Sequence, residues 1–287
     1  MVRIITDSSA DLRPEEYIEL GVSPLYLIIN QGEREFRDGQ DIFGRDLFRG
    51  LAEGRNYSSA QVPVFDYLKL FNSLASQGHD FIYLSISSGI SGSFETASLA
   101  MEAIKEGYPE VRMAVVDSRG ASVGQGLIVR KLAEAAKKEK SFEELMELAV
   151  FLQSHIKHGL IVPDLNHLSK GGRLSKSQVV LGNLMGIIPL IEFDSQGNLY
   201  VLDKIRGRKK AQRFFLNKAL KDNPGLDEIN IVYTDEESRD SFLKEVQELM
   251  PGVKVEDWEL GCAIGLHTGP GALGIAYLDK NIPDKFI

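Results

Sequence analysis

The sequence predicts an α/β protein of two domains: an N-terminal domain on a parallel sheet, and a C-terminal α+β domain with a mixed or antiparallel sheet. Through about residue 140, short apolar runs alternate with amphipathic segments, which is typical of parallel strands joined by crossover helices. After about residue 160 this alternation ends, and two apolar runs flank a short polar turn. A chain of 287 residues suits two ordinary domains. We therefore predict domains over residues 1–160 and 161–287.

The N-terminal half begins with VRIIT, which predicts a buried strand, and DSSAD then predicts a turn into a helix that opens at Asp11. A second strand is predicted at VSPLYLIIN. The last helix, within SFEELMELAVFLQSHIKHG, has Ser141 and Glu144 at the positions of a capping box. Between these segments the same patterns predict helices in DIFGRDLFRGLAEG, VFDYLKLFNSLASQG, SFETASLAMEAIKEG and SVGQGLIVRKLAEAAKKEK, and strands in DFIYLSIS and VRMAVVDS.

The C-terminal half is predicted to contain a β-hairpin, because IIPLIEFD and LYVLDKIRG flank the turn SQGN. Further along the chain, INIVYTD, KVEDWELG and GALGIAYL predict strands, and SRDSFLKEVQELM predicts a helix. Strands outnumber helices in this half, and this indicates an α+β arrangement rather than a second set of crossover units.

The composition excludes several classes of protein. Lys plus Arg total 33 against 41 for Asp plus Glu, and the net charge of −8 argues against a general nucleic-acid binder or a polybasic membrane anchor. The one cysteine, Cys262, cannot form an intrachain disulfide, so we expect a cytoplasmic protein. No apolar stretch approaches the length of a membrane span, and MVRIITDSSADL lacks the apolar run of a signal peptide.

The stretch GLHTGPGALGIAYL contains the glycine spacing of a dinucleotide-binding turn, at Gly269, Gly271 and Gly274. Such a turn needs a helix after it and a later acidic residue. The short segment after Gly274 instead predicts a strand and a tail, and Pro270 lacks the backbone N–H that a phosphate would need. We therefore reject a dinucleotide site and expect a tight turn after His267.

The loop SISSGISGSF follows a predicted strand and opens a predicted helix. Backbone N–H groups at a helix N-terminus favour an anion, and Ser91 and Ser93 add hydroxyl donors. The pattern therefore predicts a site for a carboxylate or phosphate. A plain N-cap after a glycine-rich turn explains the same residues, and the sequence leaves both interpretations open.

Other polar residues form no complete catalytic group. Asp7 and Asp11 are interpreted as turn and cap residues, since no D-x-D motif is present. His155 and His158 are three residues apart on a predicted helix, but they lack a metal-site motif, so no metal is expected. KIRGRKK is either a solvated strand end or a docking patch for an acidic or phosphorylated partner. These features favour a non-enzymatic protein that binds an anionic small molecule.

Seven stretches along the chain carry a resemblance when they are taken together and in order. They are TDSSADL at 6–12, SAQVPVFDY at 59–67, SSGISGSF at 87–94, VVDS at 115–118, LSKGGRLS at 168–175, KIRGRKKA at 204–211 and GLHTGPGALG at 265–274. This ordered set resembles the DegV family of fatty-acid-binding proteins. The resemblance implies a two-domain fold of the EDD group, which recurs in dihydroxyacetone kinase subunits. It also implies a buried acyl chain, no cofactor, and a separate ATP-dependent kinase subunit that converts the bound carboxylate to an acyl phosphate.

The resemblance also implies residue roles. The hydroxyls that bind the carboxylate fall on Ser59 and Ser93, and the neighbouring histidine falls on His267. The arginine that works with the kinase falls on Arg206, with Arg208 as a shifted alternative.

Gly92, Arg173 and Thr268 are implied to surround the head group. Where the family often has Thr-Ser-Gln-Pro, this chain has Ser-Ala-Gln-Val at 59–62, which retains the hydroxyl and loses the proline.

The implied ligand is a long-chain fatty acid, for example with 16 to 18 carbons, exchanged through transient contact with a membrane. Its chain would lie against apolar residues such as those of VVLGNLMGIIPLI, a stretch that ordinary core packing explains equally well. Two other functions stay open. One is a regulatory module that senses a lipid; the other is a stand-alone hydrolase or phosphotransferase that uses Asp7, Ser93 and His267.

Overall fold

The computed structural model describes residues 1–175 and 186–286. It has two principal sheets, one in each half of the chain, and a small third sheet. The elements of the first half are β1 (Arg3–Asp7), α1 (Pro14–Leu20), β2 (Ser23–Leu25), β3 (Ile28–Gln31), β4 (Arg34–Arg37), α2 (Gly44–Ala52), β5 (Ser58–Ala60), α3 (Val64–Ser76), β6 (Phe81–Ser85), α4 (Ser93–Lys105), β7 (Met113–Asp117), α5 (Ser122–Lys137) and α6 (Phe142–His155).

The numbering of helices and strands continues through the second half. Its described elements are β8 (Ile156–Ile161), α7 (Asn166–Lys170), β9 (Ile187–Phe193), β10 (Leu199–Arg206), α8 (Arg208–Asp222), β11 (Glu228–Tyr233), α9 (Glu236–Leu249), β12 (Lys254–Glu259), α10 (Cys262–Thr268) and β13 (Leu273–Leu278). No described helix has the combined length and apolar character needed to cross a membrane.

The first sheet confirms the predicted parallel α/β arrangement. Its four strands run in the order β2–β1–β6–β7, and all three pairings are parallel. All five residues of β6 are buried, as expected for a central strand covered by helices on both faces. Loops at the carboxyl ends of such strands are where α/β proteins place their sites.

The prediction of one strand at VSPLYLIIN was wrong. The segment forms two short strands, β2 in the parallel sheet and β3 in a three-stranded antiparallel sheet with β4 and β5. The chain leaves the first sheet at Leu27, whose N–H donates to the Ser8 hydroxyl at 3.1 Å and whose carbonyl accepts from the Asp38 N–H at 2.9 Å. These bonds replace sheet pairing at this position and start the second strand.

The helix predicted to open at Asp11 begins instead at Pro14. Asp11 has a left-handed backbone, with φ of 52°, and its buried carboxylate accepts from the Gly261 N–H at 3.2 Å and from the Ser122 hydroxyl. The carboxylate thus links distant segments, and it does not cap the helix.

The second sheet is mixed, as predicted, with strand order β10–β9–β8–β13–β11–β12. Among its described strands only β11 and β12 run parallel, and β9 and β10 form the predicted hairpin. The predicted capping box of α6 is also confirmed: the Glu144 N–H donates to Ser141 Oγ at 3.2 Å.

Placing His155 and His158 on one helix was wrong. His155 ends α6, and His158 lies in β8, which pairs with β13 over six residues. These pairings and the buried side of β8 outweigh continuation of the helix, so the second sheet begins at Ile156. The domain boundary at residue 160 stays a prediction.

Helix α5 packs against both principal sheets. Its residues Leu127 and Ile128 are buried in a core cluster that also contains Leu84 of the parallel sheet and Ala276 of the mixed sheet. Because removal of a buried leucine side chain costs about 2–5 kcal/mol, Leu127→Ala would destabilise both halves together. The start of α5 is thereby held at the junction where the candidate site lies.

Candidate functional site

A cavity of about 160 Å³ lies among elements from both halves of the chain. Apolar cavities of about 150 Å³ hold molecules such as benzene, so this space suits an organic group. Its walls are mostly apolar, and its polar side chains are Ser59, Gln61, Ser91, Ser122, His158, Arg173, His267 and Thr268.

The structure brings Ser59 and His267 together in this cavity. Ser59 lies in β5, His267 lies in the last turn of α10, and Ser59 Oγ is 2.8 Å from His267 Nε2. Burial, and then the charge of Arg173, lower the pKa of His267 to about 4. The ring is therefore neutral at pH 7 and can donate one hydrogen bond and accept another.

Asp38 fixes the start of the helix that carries His267. Its carboxylate accepts from the N–H groups of Cys262 at 2.9 Å and Ala263 at 3.1 Å, which are the first residues of α10. Burial raises the pKa of Asp38 to about 6, and these hydrogen bonds counteract part of that rise. A carboxylate at this position stabilises the helix through its unpaired N–H groups and its dipole.

Glycines give His267 the space it occupies. A Cβ on Gly171 would lie 2.2 Å from His267 Nδ1, so the imidazole ring rests directly against this backbone. Gly269 ends α10 with φ of 78°, and Gly271 has φ of 76°. As predicted, strand β13 follows these glycines, where a dinucleotide-binding turn would be followed by a helix.

Arg173 contributes a positive charge beside His267. Its Nε donates to the Ile90 carbonyl at 3.1 Å, and its Nη1 donates to the Gly171 carbonyl. Within the described ranges, 1–175 and 186–286, no carboxylate forms an ion pair with this guanidinium. Burial lowers the pKa of Arg173. A carboxylate in the cavity would supply the missing counter-ion.

Ser91 and Ser93, at the start of α4, lie at different depths from the cavity. Ser91 lines the cavity, whereas Ser93 is fully buried, and their hydroxyl oxygens are 3.0 Å apart. The Ser93 N–H also donates to Ser91 Oγ at 3.3 Å. Gly92 lines the cavity between them, and a Cβ there would meet the Gln61 amide oxygen at 2.7 Å. The wall residue is thus Ser91, and Ser93 acts on it from behind.

Asp7 is not brought together with Ser93 and His267 at the cavity wall. It is fully buried, and its Oδ2 accepts from the Tyr83 hydroxyl at 2.7 Å and from the Ile86 N–H at 3.1 Å. Its Oδ1 accepts from the Ser9 N–H and hydroxyl and from the Gln125 amide. Both oxygens are therefore occupied by donors. As expected from the sequence, Asp7 also caps the turn of 3-10 helix that follows it.

The loop after His267 is tied down by hydrogen bonds. Thr268 lines the cavity, and its hydroxyl donates to the Ile264 carbonyl at 3.2 Å. The Gly271 N–H donates to the Thr234 hydroxyl at 2.9 Å, and Arg208 Nη2 donates to the Gly271 carbonyl at 2.9 Å. Arg208 therefore supports this loop from within the protein.

Arg206 differs from Arg208 in its surroundings. It is exposed at the end of β10, one residue before Gly207, which precedes α8 with φ of 94°. An exposed guanidinium at a strand end is available to a partner, whereas Arg208 is engaged with the Gly271 loop. Arg206 is therefore the more accessible of the two arginines that the family resemblance implied for work with a partner.

Three polar cavity residues, Gln61, Ser122 and His158, were not assigned a role from the sequence. Gln61 lines the wall, and its amide donates to the Thr96 hydroxyl at 2.8 Å. His158 lines the cavity from β8. Gln61 lies within the stretch Ser-Ala-Gln-Val at 59–62, but only its neighbour Ser59 was given a role, and Ser122 and His158 lie in no recognisable motif. Among the described residues, no cluster of three or more metal-ligating side chains occurs.

Comparison with known proteins decides the family. A protein-family model described as an uncharacterised protein of the DegV family matches residues 1–280. The chain belongs to the DegV family. A DegV domain-containing protein of Clostridium perfringens is 31% identical over 280 residues, which cover 96% of each chain.

Solved structures with the same fold support this assignment. A DegV family protein of Thermus thermophilus, described by its fatty acid binding, is 26% identical with a TM-score of 0.86 and covers 96% of this DegV chain and 99% of its own. A stearic-acid-binding protein of Eubacterium ventriosum is 26% identical with a TM-score of 0.87, with coverage of 97% and 98%.

A third neighbour is named for a fatty acid kinase. The Streptococcus pneumoniae fatty acid kinase (Fak) B3 protein, loaded with linoleic acid, is 25% identical to this DegV chain with a TM-score of 0.85. The alignment covers 98% of this chain and 100% of that one.

The stretch VVLGNLMGIIPLI at 179–191 was predicted to line the acyl chain. Its residues up to 185 lie outside the described part, while Leu190 and Ile191 of β9 are fully buried.

Proposed function

We propose that this protein binds a long-chain fatty acid and holds its carboxylate among Ser59, Ser91, Arg173 and His267. The observation that carries the proposal is the Ser59–His267 pair beside Arg173, at the wall of a largely apolar cavity. Ser93 supports Ser91 from behind, and Gly92 and Thr268 complete the surroundings. The bound fatty acids of the neighbours from Eubacterium ventriosum and Streptococcus pneumoniae agree with this ligand class.

The acyl chain and the carboxylate of the ligand make different contributions to binding. Burial of one methylene contributes about 0.8 kcal/mol, so a chain of about 14 methylenes contributes on the order of 11 kcal/mol before the costs of ordering. A carboxylate cannot be buried unpaired. The polar groups around His267 therefore set the orientation of the ligand, while the chain supplies most of the affinity.

We propose that a separate ATP-dependent kinase subunit phosphorylates the bound carboxylate and docks at Arg206. The exposed guanidinium of Arg206 suits an acidic or phosphate-bearing partner. The fatty acid kinase neighbour supports this role. We propose that the protein itself carries no cofactor, is not a catalyst, works in the cytoplasm and meets the membrane only for lipid exchange.

A stand-alone hydrolase or phosphotransferase fits this site less well. Such an enzyme would need Asp7 beside Ser93 and His267, but every oxygen of Asp7 is already engaged by internal donors. The protein held alone with ATP and a fatty acid is expected to release no product. Turnover without a partner would favour the enzyme.

Titration of delipidated protein with stearic acid tests the proposed site. We expect saturable binding, and we expect Ser59→Ala and His267→Ala each to weaken it by about tenfold or more, since a hydrogen bond to a charged group contributes about 1.5–3 kcal/mol. The two losses should be less than additive because the residues are bonded to each other. Full affinity in both variants would show that the carboxylate does not bind at Ser59 and His267.

A further inference from the structure

Gly274 lies within strand β13 and lines the cavity that holds the Ser59–His267 pair. It is the third glycine of the stretch GLHTGPGALG, and the tight turn before the strand does not account for it. Gly269 and Gly271 have a positive φ, whereas Gly274 does not. The backbone conformation therefore does not require a glycine at position 274.

The strand is regular on both sides of Gly274. It pairs with Leu160 of β8 and with Val232 of β11, and neither ladder contains a register shift. Glycine weakens the interior of a strand, and it often marks a bulge, a bend, or a point where a ligand or another backbone approaches closely. There is no bulge here, and the nearest backbone atom to a Cβ at 274 would be the Gly159 carbonyl oxygen at 3.9 Å, an ordinary contact. Close approach of a ligand is the explanation that remains.

A side chain at position 274 would point to the face of the mixed sheet that α5 covers. Alternate residues of a strand share a face, and Ala276, two residues further on, is buried in one core cluster with Val123 of α5. A Cβ on Gly274 would lie 2.7 Å from Val232 Cγ1 and 3.6 Å from Leu160 Cδ1. Val123, Leu160 and Val232 all line the cavity, so this face of the sheet is one of its walls.

Gly274 leaves a gap between two large side chains of this wall. Residues directly opposite one another in a sheet stand side by side, so Leu160, position 274 and Val232 form one row across three strands. The cavity reaches Gly274 itself, so its neighbours do not close the gap. The three atoms nearest to a Cβ at 274 would belong to Val232, Leu160 and Gly159, and no side chain of the head-group site is among them. The gap is therefore an apolar part of the wall, and it suits methylene groups.

We propose that Gly274 determines the length of the acyl chain that this protein binds, because the chain passes through the gap that this glycine leaves. The inference rests on the proposed function, since it needs an acyl chain in the cavity. A methyl group at position 274 would occupy space that a methylene of the ligand needs. Acids long enough to reach the row of Leu160 and Val232 would then bind more weakly, and shorter acids would bind as before.

The test compares Gly274→Ala with the wild type over a series of saturated acids: octanoic, decanoic, lauric, myristic, palmitic and stearic. Delipidated protein is titrated with each acid in competition with a fluorescent fatty acid. The affinity of the wild type should rise about fourfold with each added methylene, which corresponds to about 0.8 kcal/mol. Gly274→Ala should follow the wild type for the shorter acids and then stop rising, with a loss of about tenfold or more for stearic acid.

Ala276→Val is the matched control. Ala276 lies on the same face of the same strand and is fully buried, but it does not line the cavity. The added methyl groups overpack the core and should lower the free energy of unfolding. The dependence of affinity on chain length should nevertheless keep the slope of the wild type, so a loss of stability is distinguished from a loss of room for the ligand.

A second readout uses the wild-type protein and does not depend on the folding of a variant. The backbone amide resonances of Gly274 should shift only with acids of the length at which Gly274→Ala first loses affinity, or longer. An equal loss at every chain length, a Gly274→Ala profile that matches the wild type, or a Gly274 resonance that does not respond to chain length would overturn the inference and leave the proposed function standing. Failure of every acid to bind the wild type would overturn both.

Discussion

The hydroxyl oxygen of Ser59 lies 2.8 Å from Nε2 of His267, although 208 positions separate the two residues in the chain. Ser59 belongs to the small three-stranded sheet, and His267 belongs to the short helix α10 before β13. The contact therefore needs the fold of both halves. It places a hydroxyl and a neutral imidazole at the wall of one cavity, beside the charge of Arg173.

The two serines at the start of α4 are expected to act as one unit. Ser91→Ala should weaken fatty-acid binding by ~1.5–3 kcal/mol through loss of a charge-assisted hydrogen bond, and Ser93→Ala should weaken it by less, because Ser93 supports Ser91 from behind the wall. Because their hydroxyls are bonded at 3.0 Å, the double variant should lose little more than the larger single loss. A competition assay with a fluorescent fatty acid measures all three.

Ser98→Ala is the matched control for these variants. Ser98 lies in the same helix, and its hydroxyl donates to the Phe94 carbonyl at 2.8 Å without lining the cavity. Its removal should leave affinity unchanged. Wild-type affinity in Ser93→Ala would count against the assigned role of that residue.

Gly171 should control the position of His267. Its φ of −73° suits alanine, so Gly171→Ala acts only through the Cβ that would lie 2.2 Å from His267 Nδ1. We expect about a tenfold loss of affinity, or ~1.4 kcal/mol, with folding retained. Gly172→Ala is the control: its φ of +75° strains alanine, but no atom lies within 4 Å of the added carbon. That variant should lose about 1 kcal/mol of stability and keep its affinity. The reverse pattern would contradict the account.

Variants of Arg206 and Arg208 should distinguish docking of the partner from support of the Gly271 loop. Arg206→Ala should reduce phosphorylation of the bound fatty acid by the kinase subunit and leave binding and stability nearly unchanged. Arg208→Ala should lower the free energy of unfolding by ~1 kcal/mol, because the Gly271 carbonyl loses its partner. Kinetics with the partner and urea denaturation distinguish the two. Equal losses of lipid binding and phosphorylation in Arg206→Ala would argue against docking.

The stability contributed by neutral His267 should fade in acid. Burial lowers its pKa from 6.5 to about 4, so between these values the unfolded chain binds more protons than the folded one. The contribution is fully present above pH 6.5 and decreases as the pH falls toward 4. Replacing His267 by glutamine removes this dependence.

Urea denaturation of the wild type and His267→Gln at about pH 7 and about pH 5 measures the effect. Asp38, whose pKa is raised to about 6, acts in the opposite direction, but it is present in both proteins and cancels in the difference. The difference in unfolding free energy between wild type and variant should shrink, or reverse in sign, at the lower pH. A constant difference would show that His267 titrates normally.

Short-range sequence patterns predicted part of the fold correctly. The parallel strands of the first half and the hairpin at SQGN follow from apolar runs and turn residues, and the structure confirms both. The three-stranded sheet was missed because β4 and β5 are three or four residues long and mostly polar or small, which leaves no alternation to detect. Leu27 shows the same limit, since distant hydrogen bonds decide where that strand breaks.

The site depends on contacts that no local pattern encodes. Ser59 and His267 were paired through the family resemblance, because no periodicity relates positions 208 apart. The hydroxyls of Ser91 and Ser93 were visible in the sequence, but their order, one at the wall and one behind it, follows from packing. His158 was assigned to a helix, so its place in the cavity could be recognised only after β8 was seen to pair with β13.

The most direct test of the central claim is mass spectrometry of the lipid that stays with the purified protein. The protein is denatured, extracted with organic solvent, and the extract is compared with that of His267→Ala prepared in parallel. We predict a long-chain fatty acid in near-stoichiometric amount from the wild type and less from the variant. An extract without an acyl chain, together with no uptake of added fatty acid, would contradict the account.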